Sequence, residues 1–136
     1  MHLLYNVSIY SSSIFIWLSQ FFSKKMNLFV KGRKDVFKTL QLKISEDDQT
    51  IWFHCASLGE YEQGLPIMES VKKKFPNHKL VLTFFSPSGY EIKKNSSIAD
   101  VVSYLPLDTP HNSKKFIKIV HPSLAIFIKY EFHEIT

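Results

Sequence analysis

The sequence predicts an α/β fold with a parallel sheet and flanking helices, because short apolar strands alternate with helical segments. Four apolar runs have the length and composition of buried parallel strands, at residues 51–56, 80–85, 101–105 and 124–128. Only short loops separate each strand from the next helical segment. That spacing favours right-handed βαβ units.

Apolar periodicity and capping residues indicate the helices between these strands. Residues 60–75 have the spacing of a helix with one apolar face. Intervals of three and four residues separate the side chains of that face, Leu65, Met68, Val71 and Phe75. A shorter helix is indicated over residues 90–95. Asp108 or Thr109 can cap a further helix that begins near Pro110, a residue type favoured in a first turn.

The N-terminal segment has a different character, since residues 3–22 contain no charged side chain and many rings. A helix of about 20 residues is about 30 Å long, enough to cross a hydrocarbon core. Its serines make it a mediocre span, so crossing the membrane and lying in the interface both stay open. We expect a membrane-anchor helix at 1–23, a basic linker at 24–49 and an incomplete Rossmann-like domain at 50–136.

The charge of the chain, +5 with a pI of about 9.3, is concentrated after the apolar segment. The cluster consists of Lys24, Lys25, Lys31, Arg33, Lys34, Lys38 and Lys43. It is either a solvated linker or a contact for lipid headgroups, and its position places the rest of the chain in the cytoplasm. We expect no nucleic-acid partner, because the aromatic residues look buried. The single cysteine, Cys55, excludes an intrachain disulfide and is expected in the core.

Ligands of open α/β sheets bind at the C-terminal ends of the strands. Four loops are expected there, at residues 57–60, 86–89, 106–110 and 129–131. Glu60 falls in a first helical turn. Its carboxylate either interacts favourably with the positive end of the helix dipole or acts as a general base in a cleft. Glu131 either faces solvent or points into the same cleft. Phosphate-loop, dinucleotide-binding and metal-ligand spacings do not occur in the sequence.

Several segments, in this order and spacing, carry a family resemblance over nearly the whole chain. They are LLYN at 3–6, GRK at 32–34, IWFHCASLGE at 51–60, LTFFSPSGYE at 82–91, YLPLD at 104–108 and PSLAIFIKYEF at 122–132. Together they resemble the N-terminal domain of 3-deoxy-D-manno-octulosonic acid (Kdo) transferases, lipopolysaccharide glycosyltransferases of the GT-B fold. The resemblance implies that this chain is the N-terminal, Rossmann-like half of such an enzyme.

The resemblance also implies an inverting reaction and roles for particular residues. Glu60 matches the general base that acts on a hydroxyl of the lipid A precursor (lipid IVA), and Glu131 matches a residue that supports the transition state. The substrate-binding residues expected in the same loops are Ser57, Gly59, Ser86, Ser88 and Gly89. The donor is CMP-Kdo, gripped by a C-terminal domain absent from this sequence, and no cofactor or metal is expected. The expected location is the bacterial inner membrane, with lipid contacts and the domain facing the cytoplasm.

The end of the sequence departs from the family pattern, since His133 stands where the family has Trp. No further helix follows the fourth strand to cover the sheet. We therefore expect a truncated fragment that is inactive alone. The alternative is a non-catalytic, membrane-tethered α/β module that binds anionic lipid or a partner protein.

Overall fold

A computed structural model describes residues 2–129, apart from the side chains at positions 21, 23, 25 and 29. Within those residues the chain forms five helices and four strands. In chain order they are α1 (His2–Lys34), α2 (Val36–Lys43), β1 (Thr50–Cys55), α3 (Leu58–Lys74), β2 (Lys79–Phe84), α4 (Pro87–Lys93), β3 (Val101–Tyr104), α5 (Pro110–Val120) and β4 (Pro122–Ile128). The predicted α/β alternation is confirmed, with boundaries shifted by only a few residues.

The strands form one parallel sheet in the order β3-β2-β1-β4. Ile51 of β1 pairs with Leu80 of β2 on one side and with Leu124 of β4 on the other. From β1 the chain moves outward through β2 to β3, and then returns to the opposite side of β1 for β4. The order of the strands therefore reverses between β1 and β4, which is where open α/β sheets bind ligands.

Alternating side chains of the strands feed two hydrophobic cores, one on each face of the sheet. On one face Trp52 packs with Phe116 of α5 and with α2. On the other face Phe53 packs with Met68 of α3. The predicted apolar face of α3 is confirmed except at Phe75, which ends the helix and is 37% exposed.

Residues 24–49, expected as a linker, are mostly helical in the structure. Helix α1 continues to Lys34, and α2 follows almost at once. Val36, Leu40 and Ile44 are buried against the sheet, because their four-residue spacing places all three on one side of the chain. The folded domain therefore begins before residue 50.

Helix α1 is present where the anchor was predicted, but its N-terminal part makes little contact with the domain. The side chains of Phe15 and Trp17 are 73% and 66% exposed. Serine hydroxyls turn back onto the helix, as when Ser12 donates to the Ser8 carbonyl. Across the part of the chain that the structure describes, we find no helix with the length and apolarity needed to cross a membrane. The role of α1 as an anchor stays a prediction.

Candidate active site

The C-terminal ends of all four strands lie at one edge of the sheet, as predicted. At the centre of that edge, Cys55 of β1 pairs with Ile128 of β4. The loop that follows β1 and Lys129, which follows β4, therefore leave the sheet side by side. Gly64 lets α3 lie close to β4, because a Cβ there would be 2.8 Å from Ile128 Cγ1. These contacts place the start of α3 beside the gap between β1 and β4.

Glu60 lies in the first turn of α3, three residues after the N-cap Ser57. Its Oε2 atom accepts a hydrogen bond from the Ala56 N–H at 2.5 Å. This is close to a capping box, in which an acidic side chain at this position returns to the backbone before the helix. Among residues 2–129, no group donates a hydrogen bond to the other oxygen, Oε1. The half-buried carboxylate is thus fixed by one oxygen, and the second can accept a proton.

Ser57 and Gly59 precede this carboxylate, at the N-cap and in the first turn of α3. Ser57 is the N-cap of α3, but its hydroxyl makes no capping hydrogen bond. A Cβ at Gly59 would meet only the Ser57 hydroxyl oxygen, at 4.0 Å, so the surface above Gly59 is open. The geometry leaves both residues accessible to a ligand.

The loop after β2 lies against the loop after β1. The Ser86 N–H donates to the Ala56 carbonyl at 2.9 Å, so the two loops are joined directly. The Ser86 hydroxyl caps α4 by accepting from the Gly89 N–H, and it shares a 2.6 Å hydrogen bond with the exposed Ser88 hydroxyl. Gly89 is buried, and a Cβ there would be 2.6 Å from the Phe84 ring. Ser86 and Gly89 therefore have structural tasks, whereas Ser88, although bonded to Ser86, is exposed and can face a ligand.

Glu131, the second expected catalytic residue, lies outside the described residues. Lys129, at the start of the same segment, is exposed directly after β4. The structure therefore brings the Glu60 loop and the beginning of the Glu131 segment to the same edge. The position of the Glu131 side chain is a prediction from sequence.

Two further polar groups of β1, the Trp52 indole and the His54 imidazole, lie beneath this edge and share a partner on β2. Thr83 Oγ1 accepts a hydrogen bond from Trp52 Nε1 and also bonds to His54 Nδ1, each at 2.8 Å. Burial lowers the pKa of His54, and the negative charge of Glu60 partly opposes that shift. Burial raises the pKa of the Cys55 thiol to about 12, so Cys55 is the inert core residue that was predicted. His54 is hydrogen-bonded within the protein.

Comparison with known proteins decides the family. A profile of the family described as 3-deoxy-D-manno-octulosonic-acid transferase (kdotransferase), N-terminal part, matches residues 29–133. The chain belongs to this family. Its match also starts before residue 50, in agreement with the buried positions of α2.

Individual Kdo transferases agree with this assignment. The chain is 37% identical to the enzyme of that name from Aquifex aeolicus over 83 residues, which is 60% of this chain and 23% of the relative. It is 35% identical to the Haemophilus influenzae enzyme over 85 residues, 61% of this chain and 20% of the relative. It is 34% identical to the Rickettsia felis enzyme over 94 residues, which is 68% of this chain and 20% of the relative. The chain spans about a fifth of the length of these relatives.

An apolar groove of about 460 Å³ opens at the same edge, on the α5 face of the sheet. Its floor includes Trp52, and its rim includes the exposed Phe127 of β4 and Leu107 of the loop after β3. Asp108 and Asn112 supply polar groups to the lining. In this member of the Kdo transferase family, the strand-end edge thus combines a fixed carboxylate with a nearby apolar recess.

Arg33 is the residue of this edge whose position sequence reasoning missed. It was grouped with the basic linker, but its guanidinium reaches the ends of β2 and β3, where it donates to the carbonyls of Phe85 and Leu105. The available signal was its pairing with Gly32 in the GRK segment of the family resemblance. A basic residue in a charged cluster gives no other indication that it packs inside the fold.

Proposed function

We propose that this chain forms the acceptor-side part of an enzyme that transfers Kdo from CMP-Kdo to a lipid A precursor such as lipid IVA. The observation that supports this most directly is the Glu60 carboxylate, which lies at the reversal point of the sheet in a member of the Kdo transferase family. A carboxylate exposed in a cleft can take the proton of an attacking sugar hydroxyl. The remainder of the enzyme would bind the nucleotide of the donor.

In this proposal Glu60 is the general base. The Ala56 N–H holds Oε2, so that Oε1 can face the acceptor hydroxyl. As Oε1 removes the hydroxyl proton, the acceptor oxygen bonds to the anomeric carbon of Kdo. The bond from that carbon to the phosphate oxygen breaks, and CMP leaves with the electron pair. Attack from the face opposite to CMP inverts the anomeric centre, and Glu131 would support the developing charge.

The substrate-binding assignments can be refined by the geometry. Ser57 has a hydroxyl that is not used to cap α3, and Gly59 presents open backbone beside Glu60. We propose that these two residues and Ser88 contact the substrate. Ser86 and Gly89 would contribute by holding the second loop in place.

We also propose that α1 associates with the cytoplasmic surface of the bacterial inner membrane, where a lipid acceptor is available. Its support is the row of exposed apolar side chains of α1, followed by exposed basic residues such as Lys31 and Lys34. Replacing Phe15 and Trp17 by serine should remove most binding of the chain to anionic vesicles in a sedimentation assay. Serine at Ile92, exposed on α4, is the matched control. Equal vesicle binding by the unsubstituted chain, the doubly substituted protein and the Ile92→Ser control would exclude this role of α1.

The catalytic proposal is best tested in a chimera. Residues 29–129 would replace the structurally corresponding segment of the Aquifex aeolicus relative, and Kdo transfer from CMP-Kdo would be measured. We expect Glu60→Gln to reduce kcat by about 10²- to 10⁴-fold, the usual contribution of a general base. Glu62→Gln changes the same residue type in the same helix, but Glu62 is exposed and should leave kcat within about twofold.

Stability distinguishes catalysis from helix capping in this experiment. The amide oxygen introduced by Glu60→Gln can still accept from the Ala56 N–H, so this substitution should cost at most about 1 kcal/mol of unfolding free energy. A normal kcat with reduced stability would show that Glu60 only caps α3. Failure of the unsubstituted, folded chimera to transfer Kdo would instead favour the alternative, a membrane-tethered module without catalysis.

A further inference from the structure

The C-terminal end of α1 is packed unusually closely on the strand that carries Tyr104. A Cβ at Gly32 would be 2.1 Å from Cε2 of the Tyr104 ring, so only glycine allows α1 to approach this far. Tyr104 is itself 1% exposed and stacks on Tyr90 of α4 with ring centroids 4.2 Å apart. The helix therefore meets a rigid surface. A side chain at residue 32 would have to displace α1 or the buried ring.

Arg33, the next residue, connects α1 to two strand ends at once. Its Nε donates to the Leu105 carbonyl at 2.9 Å, and its Nη2 donates to the Phe85 carbonyl at 2.8 Å. The guanidinium carbon lies 4.9 Å from the centroid of the Tyr104 ring and 5.2 Å from that of Phe85. A planar fork of donors suits this task, because two N–H groups can reach two carbonyls while the flat face lies against rings.

The two carbonyls belong to loops that border the candidate active site. Phe85 is the first residue after β2 and Leu105 the first after β3. Both residues line the apolar groove. Residue 86, which follows Phe85, is bonded to the loop that leads to Glu60. A chain of direct contacts thus runs from α1 through Arg33 to both loops of the cleft.

Simple charge attraction does not account for this arrangement. Lys31 and Lys34 lie on either side of the Gly32–Arg33 pair and carry the same charge, yet both are exposed. An apolar side chain could have packed on the rings, but it could not bond to two carbonyls. The specific result of an arginine here is that one helix and two loops are held at fixed relative positions.

We propose that Gly32 and Arg33 form a positioning clamp, which couples α1 to the loops after β2 and β3. When α1 binds a lipid surface, the clamp sets the position of both loops relative to that surface. This inference rests on the proposed membrane role of α1 and on the proposed acceptor site. Arg33 is a positioning residue in this scheme and does not touch the reacting atoms.

Hydrogen–deuterium exchange of the full 136-residue chain tests the clamp, with and without vesicles of phosphatidylethanolamine and phosphatidylglycerol. In the unsubstituted chain, vesicles should slow exchange in the segments 85–89 and 105–109. In Arg33→Ala these segments should exchange about tenfold faster and should not respond to vesicles, because hydrogen bonds to a charged group are lost. Lys34→Ala removes the same charge without a clamp contact and should behave like the unsubstituted chain.

Arg33→Lys provides the conservative variant. It keeps the charge but has a single donor nitrogen, so it should bind vesicles as the unsubstituted chain does and retain the loop response only in part. Exchange in β1 should be the same in all variants, which separates loss of the clamp from loss of the fold. Loops of a folded Arg33→Ala or Arg33→Lys protein that respond to vesicles as in the unsubstituted chain would overturn the proposal. So would an unsubstituted chain that sediments with the vesicles while its loops exchange at the same rate with and without them. A chain that does not sediment with vesicles would instead refute the membrane role of α1, and the tenfold difference of Arg33→Ala without vesicles would still test the clamp. Kdo transfer is not measured, so failure of the catalytic proposal gives a different result.

Discussion

The two edges of the sheet use their polar side chains in opposite ways. At the N-terminal edge, hydrogen bonds join elements that are distant in sequence. Thr50 Oγ1 donates to the Val120 carbonyl at 2.6 Å, and His121 Nε2 contacts the Asp48 carbonyl at 2.7 Å. Lys79 forms a 2.7 Å ion pair with Asp48. This edge is closed by bonds within the protein.

At the C-terminal edge, by contrast, most polar side chains bond only to the start of their own helix. Glu60 accepts from Ala56, and Thr109 Oγ1 accepts from the Asn112 N–H at 3.1 Å. Arg33 differs, since it joins α1 to the strand ends, and Trp52 and His54 bond to Thr83 beneath the edge. Side-chain bonds of this local kind hold each loop without linking it to the next, and the loops after β1 and β2 are joined instead by the backbone bond from Ser86 to Ala56. The comparison supports our proposal that the N-terminal edge provides stability and the C-terminal edge the site, the arrangement general for parallel sheets.

The largest effect that we expect at the N-terminal edge is from His121→Ala. His121 ends α5 in the left-handed region, with φ of 36°, and its two ring nitrogens contact the carbonyls of Ile119 and Asp48. Removing the ring should lower the unfolding free energy by about 1–2 kcal/mol, measured by urea denaturation. His111→Ala, exposed in the same helix, should change it by less than about 0.5 kcal/mol. Equal losses for both would contradict the structural role of this edge.

A smaller effect is expected from pH at the same edge. The hydrogen bond from Lys79, and then the Ser45 N–H, hold the pKa of Asp48 below its usual value. Stability from this group is therefore fully present above the unfolded-state pKa of about 3.9, and it is lost as pH falls through the lower folded value. The stability difference between the unsubstituted chain and Asp48→Asn should shrink over that acidic range. A stability difference that grows on acidification would contradict the stabilising role of the ionised Asp48 carboxylate.

Much of the fold was predictable because short buried strands and their turn residues are local signals. The alternation of apolar strands and helices predicted the order of the elements and the shared edge of the strand ends. Thr109 and Pro110 predicted the start of α5. The packing of α2 did not, since Val36 and Leu40 stand among lysines and their burial depends on distant strands. Arg33 was missed for the same reason, because its acceptors are 52 and 72 positions away.

For the candidate site, the sequence predicted where the loops lie. It did not predict which of their side chains are used in hydrogen bonds and packing within the protein. Ser86 and Gly89 are expected to contact substrate, and the structure shows that Ser86 also caps α4 and Gly89 also packs closely on Phe84. Their contact with substrate stays a prediction. The role of Glu60 could not be decided from spacing, since a helix cap and a base require the same position. Its bond to Ala56 satisfies one oxygen and leaves that choice to experiment.

The most direct test compares the two edges in one protein, the chimera with the Aquifex aeolicus relative. Both kcat for Kdo transfer and the unfolding free energy would be measured for Glu60→Gln and for His121→Ala. We predict that Glu60→Gln lowers kcat by at least about 10²-fold with little loss of stability. His121→Ala should lower stability by about 1–2 kcal/mol and leave kcat within about twofold. A folded Glu60→Gln chimera with normal kcat, or a His121→Ala chimera that loses as much kcat, would contradict the assignment of the site to the C-terminal edge.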